Sequence, residues 1–257
     1  YAFFGENLQE LIKKRSNDLY GIVNGIDYTV NDPKTDKRLY ANYDQKDLSG
    51  KYINKKKLQQ ELGLEIKADV PLVSLISRLV DQKGLDLVKH MLWELIDLGI
   101  QFVVLGTGEK KYEDFFLYAQ SQFPGKVSAN IKYDGVLAQR IYAASDMYLM
   151  PSLYEPCGLS QLFAMRYGAV PIVRETGGLK DTVRPYNVFT KEGTGFTFAN
   201  YNAHEMKDAV ARAIEIYRNR DEWENLVRRC MNQDFSWQNS AKEYKNLYEE
   251  MLRRYNG

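Results

Sequence analysis

The chain has 257 residues, with 35 Lys plus Arg against 34 Asp plus Glu and two cysteines, long enough for one large α/β domain or two small ones around a proper core. A formal net charge of +1 offers no global field for nucleic acid, and Cys157 and Cys230 are too few for a disulfide framework. With no signal peptide and no apolar run near ~18 residues, the chain reads as reduced, without a membrane role, and cytosolic.

It opens at Tyr1 rather than Met, directly in the helix-like GENLQELIKKR, and is expected to be a fragment or a processed product. The apolar run YGIVNGID follows, then NDPKTDKRLYANYDQKD, polar and lysine-rich, which reads as a surface loop. From residue 71 short β-rich runs alternate with helical ones. PLVSLIS (71–77) precedes LDLVKHMLWELIDLG, where Leu85, Val88, Leu92 and Leu95 fall on one helical face. Next come QFVVLG, a helix around Tyr112 to Phe123, the strand NIKY, the helix LAQRIYAAS, the strand MYLM, a helix starting at Gly158, and the strand AVPIV. Units of this length predict parallel strands joined by right-handed crossovers, a doubly wound α/β sheet. After residue 199 the pattern is helical and is assigned to covering helices. There is no internal repeat and no low-complexity tract.

In such a sheet, ligands bind outside the carboxyl ends of the strands, so the strand-to-helix loops carry the candidates. In SRLVDQKG, Arg78 and Lys83 bring two cations to one loop, with Lys83 at a helix start that disfavours it by roughly 0.3–1 kcal/mol unless an anion binds there. Solvated surface charges, or an ion pair with Asp81, are the competing reading. In LGTGE, Gly106 and Gly108 follow an apolar strand and allow close backbone approach, although a tight turn is the favoured reading. The third glycine of a dinucleotide fingerprint is missing, since Lys111 and Tyr112 stand where it would fall. In LYEPCGLSQLFAMRYG, Pro156 fixes the approach and Cys157, Gly158, Leu159 and Ser160 lead into a helix whose free N–H groups suit an anion. Glu155 stands beside them, either as a ligand contact or as an acid satisfying the helix end. In RETGGLKDTV, Thr176, Gly177 and Gly178 follow a strand, and paired glycines can form an anion nest.

Other chemistries find less support. No P-loop occurs; His90 and His204 each lie in a helix with no second ligand at metal spacing, so no metal is expected. Cys157 reads as a packed small side chain rather than a nucleophile. The absence of Asp-x-Asp argues against a metal-held diphosphate. What remains is a crevice of cations, helix N-termini and glycine turns with one carboxylate among them. A diphosphate attached to a sugar fits it: the anion takes the N–H groups and cations, and the carboxylate accepts from sugar hydroxyls.

ISRLVDQKGLDL, YDGVLAQRIYAASD, PSLYEPCGLSQLFAMRYG, RETGGLKDTV and DFSWQ resemble, in order and spacing, the C-terminal half of bacterial glycogen synthases and plant starch synthases. YGIVNGID resembles that family's linker strand. The resemblance covers essentially the whole chain and implies one Rossmann-like half of a GT-B glycosyltransferase. The implied divisions are a linker strand and surface loop at 1–60, an ADP-glucose-binding domain at 61–235, and a crossover helix at 236–257. It implies a retaining transferase moving glucose from ADP-glucose to the 4-hydroxyl of an α-1,4-glucan, without a cofactor, in bacterial cytoplasm or a plant plastid stroma. Arg78 and Lys83 would meet the diphosphate, Glu155 the glucose, the N–H groups of Gly158 to Ser160 the distal phosphate, Thr176 to Gly178 the sugar, and Tyr133 would stack on adenine. Many related transferases carry a second Glu where this chain has Phe163. The family's N-terminal domain, with its Lys-x-Gly-Gly-Leu loop, has no counterpart in the sequence. The chain is therefore read either as part of the transferase or as a nucleotide-binding module alone. A nicotinamide-dependent dehydrogenase, resting on LGTGE with Asp134 as the ribose acid, is the third reading. The Tyr and Leu spacing in EYKNLYEEMLRRY predicts an apolar stripe, exposed or covered by a second copy.

Overall fold

A computed structural model describes residues 7–256. The start of GENLQELIKKR lies outside the described residues, as does the side chain of Tyr255; the remainder forms helix α1 (Gln9–Lys14). The run YGIVNGID is not a strand. It contributes one bridge, Ile26 to Ser236, because its neighbour there is the short connection before the last helix rather than a sheet edge.

The polar segment that follows is less superficial than its composition suggests. The Asp36 carboxylate accepts from Arg38 Nε at 2.7 Å and from the Tyr167 hydroxyl at 2.6 Å, and the Tyr43 hydroxyl donates to the Tyr167 carbonyl at 2.7 Å. Burial pushes the Asp36 carboxyl up, but these donors outweigh it and hold the group below the usual range. Helix α2 (Ser49–Glu61) then runs across position 60. Its inner face is polar: Lys51, Asn54, Lys55 and Gln59 are buried with Leu58. Lys51 Nζ donates to the carbonyls of Ala143, Ser145 and Tyr167 at 2.8–3.1 Å. Lys55 Nζ meets the Asp146 carboxylate at 2.7 Å.

The sheet is parallel, with strands β1 (Leu72–Ile76), β2 (Gln101–Leu105), β3 (Val127–Asn130), β4 (Met147–Met150), β5 (Val170–Arg174) and β6 (Phe196–Phe198) in the order β3-β2-β1-β4-β5-β6. Near-continuous apolar runs suit strands covered on both faces. The strand expected at NIKY ends at Asn130, where pairing with Leu105 stops. Between the strands lie α3 (Leu85–Asp97), α4 (Lys110–Gln122), α5 (Gly135–Ala144), α6 (Ser160–Arg166) and α7 (Gly177–Thr182). Leu85, Val88, Leu92 and Leu95 of α3 are all fully buried, each worth about 1.5–3 kcal/mol on transfer from water.

Alternate side chains of β1 divide the core. Val73 and Leu75 join the larger cluster, whereas Leu72 packs with Leu58 and Ile141 on the opposite face. Helices α8 (Ala203–Tyr217), α9 (Arg220–Met231) and α10 (Trp237–Asn256) complete the cover. The stripe on α10 is exposed at Tyr244, Tyr248, Met251 and Leu252. Among the described residues no helix is long and apolar enough to cross a membrane.

Candidate active site

The strand order reverses between β1 and β4, so their following loops diverge and leave a crevice at the carboxyl ends. A cavity of about 220 Å³ there is lined by Ser77, Arg78, Lys83, Tyr148, Ser152 and Ser160, among others. It adjoins a second cavity of about 480 Å³ over β1, β2 and the start of α5, which shares Ser77, Arg78 and Ser160 and adds Gly106, Thr107, Lys132, Tyr133 and Arg38.

Lys83 lines the smaller cavity with Arg78 and does not pair with Asp81. It ends a short 3₁₀ turn and is separated from α3 by Gly84, and its ammonium lies 2.6 Å from Glu155 Oε2. The two side chains are only 16% and 10% exposed. Ser152 Oγ stands 3.3 Å from the same carboxylate oxygen. Asp81 turns to α4 instead, accepting from Lys111 at 2.6 Å and from the Tyr112 hydroxyl at 2.5 Å. The Lys111 bond and then the Tyr112 bond hold its carboxyl below the usual range. Arg78 is exposed, and its guanidinium has no protein partner among the described residues. It is the cation left available to a ligand.

Glu155 is thus buried against Lys83 and does not serve as the acid at a helix end. Helix α6 starts at Ser160, two residues later than expected, with Gly158 and Leu159 forming the approach. Gln161 shapes that approach, its Nε2 donating to the carbonyls of Cys157 and Gly158 at 3.0 and 3.1 Å and to Thr182 Oγ1 at 3.1 Å. The N–H groups of Gly158, Leu159 and Ser160 donate to no acceptor among the described residues. Cys157 is half-buried, with Sγ 3.4 Å from the Gly158 carbonyl. Burial lifts the Tyr142 and Tyr148 hydroxyls above the ordinary phenol range, so both stay neutral beside Ser160.

The glycine turns serve the protein's own backbone. Gly178 N–H donates to the Glu155 carbonyl at 3.0 Å and Thr176 N–H to Arg174, so the anion nest expected at 176–178 is largely occupied. A Cβ at Gly177 would overlap the Glu155 carbonyl, and one at Gly178 the Cys157 carbonyl. Likewise Gly108 bridges Leu79, and side chains at Gly106 and Gly108 would strike the backbone of Ser77 and Leu79. Gly106 still lines the larger cavity. Tyr133 lies in the loop between β3 and α5, and the residue is 95% exposed at the cavity mouth.

Three site residues escaped the sequence reading. Arg174, at the end of β5, donates to the Ser152 carbonyl at 2.9 Å and to that of Leu153, fixing the loop that carries Glu155. A lone cation ending a strand was its signal. Arg38 reaches the larger cavity from the polar segment, and Ser152 reaches the carboxylate. The two histidines, far apart in sequence, meet edge to face on α3 and α8 with ring centres 6.2 Å apart. Among the described residues no three His, Cys, Asp or Glu side chains are grouped to hold a metal ion. Asp134, the candidate ribose acid, caps α5 by accepting from Val136 and Leu137 N–H and pairs with Lys132. That leaves the dehydrogenase reading without its second element.

The family described as glycosyl transferases group 1 matches residues 56–229. A glycogen synthase of Clostridium acetobutylicum is 53% identical over 97% of this chain and 53% of its own length. One of Clostridium kluyveri is 51% identical over 98% of this chain and 54% of its own. The chain spans about half the length of the curated relatives it matches. Among solved structures, the catalytic domain of starch synthase IV from Arabidopsis thaliana, bound to ADP and acarbose, superposes with a TM-score of 0.90 at 40% identity. It covers 97% of this chain and 52% of that one. A sucrose-phosphate synthase of Thermosynechococcus elongatus shares the fold at 19% identity, TM-score 0.64, over 96% of this chain and 56% of that one.

Proposed function

The chain belongs to the group 1 glycosyl transferases, and on that premise we propose that it is the ADP-glucose-binding half of a glycogen or starch synthase. The reaction assigned is retaining transfer of glucose to the 4-hydroxyl of an α-1,4-glucan. The observation that carries this reading is that Arg78 and Lys83 line one cavity at the strand-order reversal, with Glu155 held on Lys83. The names of the relatives and the ADP in the starch synthase structure support it.

In this mechanism Arg78 and Lys83 neutralise the charge that grows on departing ADP, a role whose value rises as the cleft dries. Unbonded N–H groups at 158–160 take the distal phosphate. Glu155 accepts from glucose hydroxyls and orients the reacting carbon, and Tyr133 offers a ring to adenine at the mouth of the larger cavity. These protein cations supply the positive charge, and the proposal assigns no metal. Transfer is assigned to this crevice closed by a second lobe that brings the glucan acceptor, because closure supplies positioning and excludes water. Taken alone, the chain is assigned nucleotide binding, in bacterial cytoplasm or a plastid stroma according to source.

Calorimetric titration with ADP, UDP and NAD tests the reading. ADP should bind best, and Arg78→Ala and Lys83→Ala should each weaken it about tenfold or more, the scale of a hydrogen bond to a charged group. Preferential binding of NAD, or ADP binding indifferent to both substitutions, would refute it.

A further inference from the structure

Resting on that assignment of the nucleotide site, the Lys83–Glu155 pair has a role of its own. Its members come from loops on opposite sides of the strand-order reversal, and each is the other's closest charged partner, largely shielded from water. A diphosphate draws Lys83 away from the carboxylate. The Glu155 main chain cannot follow, because its carbonyl is held by Gly178 N–H and packed against Gly177, and Arg174 fixes the preceding carbonyls at Ser152 and Leu153. Lys83 has a long flexible stem and is the partner that moves.

Once Lys83 turns, Glu155 keeps only Ser152 as a side-chain donor among the described residues. A carboxylate stranded in a mostly dry site is costly. A bare nucleoside diphosphate has nothing to offer it, whereas a sugar attached to that diphosphate brings hydroxyl donors. We propose that breaking the Lys83–Glu155 ion pair costs any nucleoside diphosphate affinity, and that an attached sugar offsets this cost by giving hydroxyl donors to the stranded Glu155. A ligand that breaks the pair without supplying donors to Glu155 binds weakly and leaves.

The test is calorimetry of ADP and ADP-glucose on the wild-type chain, Glu155→Gln, Lys83→Met and the double variant, with melting curves to check folding. Glu155→Gln frees Lys83 in advance, so ADP should tighten about tenfold while ADP-glucose gains little, collapsing the preference for the sugar nucleotide. In the Lys83→Met background the same substitution should change ADP affinity by less than about threefold. Lys83→Met alone should weaken both ligands in equal proportion, an arm that needs no carboxylate variant to fold. Equal tightening of both ligands by Glu155→Gln would overturn the proposal. So would a gain in ADP affinity that persists without Lys83, which would mean plain repulsion between carboxylate and phosphate. Wild-type chain that binds neither ligand would refute the nucleotide-site assignment itself, and the proposal with it.

Discussion

Replacing Lys55 by Met would keep the aliphatic stem on α2 and delete its charge. The ammonium holds Asp146 Oδ2 at 2.7 Å, the carbonyls of Ala68 and Val70 at 3.0 and 2.6 Å, and the Tyr217 hydroxyl at 2.9 Å. Lys55 and Asp146 are only 4% and 6% exposed. After substitution Asp146 retains the Leu72 N–H at 2.8 Å as its donor, but its charge has lost its cation. Breaking a buried pair from one side costs about 3–5 kcal/mol, a large share of a typical ~5–15 kcal/mol stability. Urea unfolding followed by circular dichroism should show the midpoint falling by about 1 M or more. Adding Asp146→Asn should recover part of the loss, since an amide still accepts from Leu72 without a stranded charge. A loss below about 1 kcal/mol, or no recovery in the double variant, would refute the view that the polar face of α2 is integral to the domain.

Gly178→Ala should destabilise the chain and weaken ADP-glucose binding together, because the new methyl overlaps the Cys157 backbone and displaces the loop that carries Glu155; unchanged melting and calorimetry would contradict this. Burial, aided by the Lys55 cation against the pull of Asp146, lowers Lys51 to about 7. Between that value and its unfolded value near ~10.5 the unfolded chain binds the extra proton, so stability rises with pH by at most about 1.4 kcal/mol per unit. Wild type should therefore gain on Lys51→Met in urea midpoint from about pH 7 to pH 9, and a flat or falling difference would refute the assignment.

Period and motif made the sheet's elements legible, since α3 places its leucines where a 3.6-residue repeat demands. Strand order was a matter of fold class and not of any residue. Helix α2 was missed for a physical reason: its buried face is built of Lys51, Asn54, Lys55 and Gln59, so apolar periodicity has nothing to detect. Those lysines are solvated by carbonyl oxygens rather than water. At the site, Arg78, Lys83 and Glu155 were found by type and loop position. Their pairing was not, because the partners are 72 residues apart and meet only once β4 lies beside β1. Arg174 was passed over because its targets are main-chain carbonyls, which leave no trace in side-chain sequence.

The glycines that lean on neighbouring backbone affect how mutational data on this chain would be interpreted. In a saturation screen scored by ADP binding, Gly106, Gly108, Gly177 and Gly178 would stand out as intolerant and be taken for ligand contacts. Their intolerance would instead be inherited from Ser77, Leu79, Glu155 and Cys157, whose main chain fills the space a side chain would need. An abundance-corrected score would separate lost folding from lost ligand contact at these four positions, leaving Arg78, whose guanidinium has no protein partner among the described residues, as the cleanest reporter of binding in the crevice.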